Sequence, residues 1–109
     1  MITRNNINSF HGGWFIGDFD PSLLRTKDFE VSIKRHPKGE VWPKHYHAVA
    51  TEYNVVISGS VRIDDEVYRR DDIFIVHPNH VVDPEFLEDC TVVCVKTPSV
   101  AGDKYEVQR

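Results

Sequence analysis

The stretch Gly39-Glu40-Val41-Trp42-Pro43-Lys44-His45-Tyr46-His47-Ala48-Val49-Ala50-Thr51-Glu52-Tyr53-Asn54-Val55-Val56-Ile57-Ser58-Gly59 decides how the rest of the chain is read. Its second half, Glu52 to Ile57, is rich in β-branched and aromatic residues and reads as a strand that stops at the turn signal Ser58-Gly59-Ser60. Working outward, similar short runs recur at Trp14-Phe15-Ile16, 29–33, 60–64, 73–76 and 91–96, with a weaker one at 104–107. Turn signals stand between them at Pro37-Lys38-Gly39, Asp64-Asp65, Arg70-Asp71-Asp72 and Pro78-Asn79. Turns about 8–12 residues apart predict an all-β sandwich or barrel. Only Pro21–Lys27 and Pro84–Glu88, the latter with Asp83 as N-cap, have the makings of a helical turn. The chain shows no repeat, low-complexity tract or linker, so residues 1–109 are expected to form one domain.

Composition narrows the function classes. The hydrophobic residues make up 40% of the 109, an ordinary globular content once the glycines are added, and this argues against intrinsic disorder. The net charge is −4, and the basic residues are scattered as singles and pairs such as Lys34-Arg35 and Arg69-Arg70, which read as solvated strand edges. Nucleic-acid binding needs clustered Lys and Arg, so that partner is not expected. No apolar run approaches the 18 or so residues of a membrane span, and Met1–Phe10 lacks the pattern of a signal peptide. A cytoplasmic protein with no membrane partner is expected. Cys90 and Cys94 flank strand-like residues, about 13 Å apart and too far to bridge, and read as buried thiols of a reducing compartment.

Chemistry concentrates in the opening stretch. His45 and His47 are two apart, so on a strand both imidazoles face one side, and Glu52 adds a carboxylate from the next strand. Two imidazoles and a carboxylate converging from adjacent strands suit a divalent transition metal such as Fe, Mn, Ni or Zn. Read from the two histidines alone, a polar surface strand explains them equally well.

The full spacing favours the metal. Gly39, His45, His47, Glu52 and Gly59, five positions over 21 residues, resemble the first motif of the cupin superfamily. The resemblance covers about residues 29–95. It implies a double-stranded β-helix, or jelly-roll barrel, with His45, His47 and Glu52 on a metal inside it. It also implies glycine-shaped turns at Gly39 and Gly59 and a tendency to pair as homodimers. Tyr53, Val55 and Ile57, on one strand face, mark the same interface.

The second cupin motif is altered. In Asp71-Asp72-Ile73-Phe74-Ile75-Val76-His77-Pro78-Asn79-His80-Val81-Val82, Val82 stands where the family has its fourth ligand, a histidine. Three alternatives are open: His80 reaches in from two residues earlier, Asp83 turns inward, or a three-ligand set keeps positions open for water or substrate. His77 reads as a turn residue, and His11 and His36 as surface histidines. Strand parity from Glu52 places Asn54 and Val56 inside, together with Phe74 and Val76. Trp14 and Trp42 read as core or interface, and no chemistry is derived from 96–105. Two functions fit: a metalloenzyme acting on a small molecule (a dioxygenase, isomerase or lyase), with His80, Tyr46 or Glu52 moving the proton, or a non-catalytic module holding a metal or a sugar-like ligand.

Overall fold

The structure, a computed structural model, describes residues 1–108. Its strands are β1 (Trp14–Ile16), β2 (Glu30–His36), β3 (His45–Tyr46), β4 (Thr51–Ser58), β5 (Ser60–Ile63), β6 (Glu66–Arg69), β7 (Ile73–Val76), β8 (Glu85–Phe86), β9 (Cys90–Thr97) and β10 (Tyr105–Glu106). They form a five-stranded antiparallel sheet in the order β1-β2-β9-β4-β7, a three-stranded sheet β6-β5-β8 and the pair β10-β3. This is the all-β architecture that the pattern of short strands and turns predicts, in the jelly-roll form that the resemblance implies.

Two helical expectations are corrected. Pro84–Glu88 holds strand β8, because Arg62 and Val61 of β5 pair with Glu85 and Phe86 and take up their backbone groups. Residues 21–27 form bends and irregular chain, with no helix. Strand β6 arises because Asp64 and Asp65 both take positive φ (53° and 66°), the backbone of a two-residue hairpin turn, and Ile63 then pairs with Glu66.

Register sets what faces inward. Across β2, β9 and β4 the inward rows are Glu30–Lys96–Glu52, then Ser32–Cys94–Asn54, then Lys34–Val92–Val56, with His36–Cys90 beyond. At the last two rows an apolar core of Val56, Val61, Phe86, Cys90 and Val92 joins this sheet to β5 and β8, with Trp42, Ile63, Tyr68 and Phe74 packed against it. The first two rows are polar. The outer face of the same sheet is apolar, with Tyr53, Ile57, Ile73 and Ile75 all exposed. At those first two rows the sheet is polar inside and apolar outside, the reverse of the usual pattern. Its polar face lines a cavity.

Candidate metal and ligand site

Strand β3 and the turn after it carry the two histidines into this cavity. The backbone of His45 pairs with Val82 in both directions, at 3.1 and 2.8 Å, which fixes the start of β3 against the segment after β7. His45 Nδ1 bonds the Pro43 carbonyl at 2.7 Å, and His47 Nδ1 bonds the Asp103 carbonyl. With both Nδ1 atoms donating to carbonyls, each neutral ring keeps its lone pair on Nε2, the tautomer of a metal ligand. Burial holds the His45 pKa below the ordinary imidazole value, with Lys104 and His47 adding to the effect against the Pro43 carbonyl. That keeps the ring neutral, as ligation requires.

Glu52 completes the group. Its Oε2 lies 3.2 Å from His47 Nε2. A proton on Nε2 makes this a charge-assisted hydrogen bond, and with the ring neutral a metal cation would take the proton's place. The separation matches that of neighbouring ligands on a metal with bonds of about 2.0–2.2 Å. Burial pushes the Glu52 carboxyl up, but the bond from His47 and the charges of His47, Lys96 and His45 outweigh it and leave it below the ordinary carboxylate value. His45 stands edge-on to His47, ring centres 5.3 Å apart. Among the described residues no three His, Cys, Asp or Glu side chains close to metal-binding distance together. The donor chemistry of His45, His47 and Glu52 fits a divalent metal, with His47 and Glu52 already in place.

Of the fourth-ligand alternatives, the structure keeps His80 apart. It is exposed in the turn after β7, with Nε2 2.5 Å from Asp64 on the β5–β6 turn. Asp83 is exposed as well. Val82 is buried and lines the cavity, so an apolar side chain occupies the family's fourth-ligand place. Asn54 and Phe74 line the cavity as strand parity predicts.

Three readings from the sequence are corrected. His36 lies inside, its ring stacked on Phe86 at 4.0 Å and bonded to Glu40 at 2.8 Å, because it shares the parity of Glu30 and Lys34 on β2. Lys34 lines the cavity and is no solvated strand edge, a placement the alternation along β2 could have given. The segment 96–105, which carries no chemical motif in the sequence, supplies Lys96, Asp103 and Lys104 to the site. Asp103 has no sequence signal, since its partners lie more than fifty residues away.

Two cavities, of about 110 and 340 Å³, meet here and share Trp14, Lys34, Trp42, His45 and Glu52. No protein-family model and no curated protein matches the chain. Solved structures do. A protein with a double-stranded β-helix domain from Klebsiella pneumoniae is 24% identical, with a TM-score of 0.67 over 80% of this chain and 76% of that one. KdgF from Halomonas sp. is 21% identical, with a TM-score of 0.61 over 70% of this chain and 74% of that one. A sugar phosphate isomerase of the cupin superfamily from Silicibacter pomeroyi is 18% identical, with a TM-score of 0.58 over 75% of this chain and 58% of that one. This chain has the cupin fold. Likeness at these identities shows the fold alone, and the chemistry of this chain rests on its own residues.

Proposed function

We propose that this cupin holds one divalent transition metal (Fe, Mn, Ni or Zn) on His45, His47 and Glu52 and acts on a small molecule bound beside it. The observation that carries the reading is the 3.2 Å approach of His47 Nε2 to Glu52 Oε2, with Nδ1 of both histidines already committed to carbonyls. When bound, the metal would supply Lewis-acid polarisation of a substrate oxygen. The isomerase among the similar structures accords with that chemistry. Val82 leaves the fourth-ligand side apolar, which favours a three-ligand set open to substrate and water. A ligand-holding barrel is the second reading. It is favoured because, of Tyr46, His80 and Glu52 as proton carriers, only Glu52 lines the two central cavities.

Elemental analysis of the wild type and of His45→Ala/His47→Ala tests the site. Near-stoichiometric metal in the first and none in the second is expected, and equal metal in both removes the proposal. Val82→His should tighten metal retention against a chelator, because it adds an imidazole beside His45.

The chain pairs with a second copy through the outer face of its five-stranded sheet. Tyr53 and Val55 on β4 lie opposite Ile75 and Ile73 on β7 and Val95 and Val93 on β9, a continuous apolar surface ending at the edge strand β7. The location is the cytoplasm, as the free, buried thiols of Cys90 and Cys94 suggest. No helix among the described residues is long and apolar enough to cross a membrane.

A further inference from the structure

Three ammonium groups gather around two indoles in the larger cavity. Lys34 Nζ lies 5.1 Å from the Trp14 ring centre and 4.9 Å from that of Trp42. Lys96 sits 5.0 Å over Trp14, and Lys104 sits 4.9 Å over Trp42. Lys96 is neutralised by Glu30 at 2.8 Å, a carboxylate that also accepts the Ser99 hydroxyl at 2.6 Å. Among the described residues no carboxylate reaches ion-pair distance of Lys34 or Lys104, and Glu52 is turned to His47. Like charges gathered around the same indoles repel, and the ring quadrupoles offset only part of the cost. Deeper in, Asn54 lines the smaller cavity, and its buried Nδ2 has no hydrogen-bond partner among the described residues. The site presents donors that lack acceptors.

We propose that Lys34 and Lys104, framed by Trp14 and Trp42, form an oxyanion subsite, so that the small molecule carries a carboxylate or phosphate group. This rests on the reading that the cavity beside His45 and Glu52 holds a small molecule. An anionic group between the two ammoniums relieves their repulsion, and Asn54 Nδ2 then donates to a second oxygen of the same ligand. The combined cavity has room for a ligand of monosaccharide size. Burial lowers the Lys34 pKa, and Lys104 and Lys96 lower it further, consistent with a cation awaiting a counter-charge.

The chain has two tryptophans, and both line this site, so intrinsic fluorescence reads it directly. The test titrates malonate, inorganic phosphate and neutral malonamide at constant ionic strength. A saturable response to either anion and none to malonamide is expected, and the stronger anion names the head group. Lys34→Gln should weaken the response at least tenfold, exposed Lys104→Gln severalfold, and Lys34→Arg should keep it. His45→Ala/His47→Ala should also keep it, while Lys34→Gln should keep its metal, so the subsite and the metal site can fail separately. No response to either anion, an equal response to malonamide, or loss only in the histidine variant overturns the proposal.

Discussion

Asp103 grips the segment that carries His47 twice over. Its carbonyl accepts His47 Nδ1, and its carboxylate accepts the amides of Ala48, Val49 and Ala50 at 2.8 to 3.3 Å. Burial raises the Asp103 carboxyl, but the three amides outweigh it and hold its pKa below the ordinary value. The stabilisation is therefore present above about pH 3.9, the unfolded value, and is lost as pH falls through the lower folded one. Asp103→Asn should cost about 2–4 kcal/mol by chemical denaturation near neutral pH, a difference that narrows in acid. It should also weaken metal retention about tenfold, since His47 loses its fixed orientation. An unchanged denaturation midpoint would show that the amides do not need the charge.

Gly39 and Gly59 predict unequal costs. Both have φ of +78°, but a Cβ at Gly59 would lie 1.9 Å from the Asp89 carbonyl oxygen, whereas one at Gly39 would meet nothing within 4 Å. Gly39→Ala should cost about 1–2 kcal/mol, the left-handed backbone penalty alone. Gly59→Ala must also push β9 away from the turn and should cost clearly more. Equal melting temperatures for the two variants would refute the distinction.

The apolar outer sheet face predicts a dimer at micromolar concentration by light scattering. Ile73→Glu with Ile75→Glu should yield a folded monomer, because both side chains are exposed in the single chain. A monomeric wild type would discard the interface.

The strands, and the gathering of His45, His47 and Glu52 on one cavity, were legible because both rest on short-range order. Alternation assigns Glu52, Asn54 and Val56 to one face, and the spacing of His45 and His47 places both rings together. What the sequence hid depends on contacts between distant segments. The Asp103–His47 bond, the Glu30–Lys96 pair and the turning of His80 to Asp64 each join remote residues, and no local period encodes such a pairing. Pro84–Glu88 misled for the same reason. Its local signal is that of a helical turn, and the open edge of β5 overrides it. Lys34 was hidden by its chemistry, because a lysine next to an arginine is ordinarily solvated.

That same lysine yields a stability prediction independent of any ligand. Desolvation dominates at Lys34, so the folded state disfavours its charged form. Lys34→Met keeps much of the packing against Trp14 and Trp42 and removes the buried charge. It should stabilise the protein by about 1 kcal/mol near pH 7, or about 5 °C in Tm for a chain of this length. A lysine whose pKa is lowered by folding binds fewer protons folded than unfolded, so wild-type stability rises with pH between the two values. The advantage of Lys34→Met should therefore be full near neutral pH and shrink toward pH of about 10.4, the unfolded lysine value. Melting curves of both proteins from pH 7 to 10.5 would show it. A variant less stable than wild type at pH 7 would mean that the indole contacts outweigh desolvation, and that the lone ammonium is held for stability and not kept for a ligand.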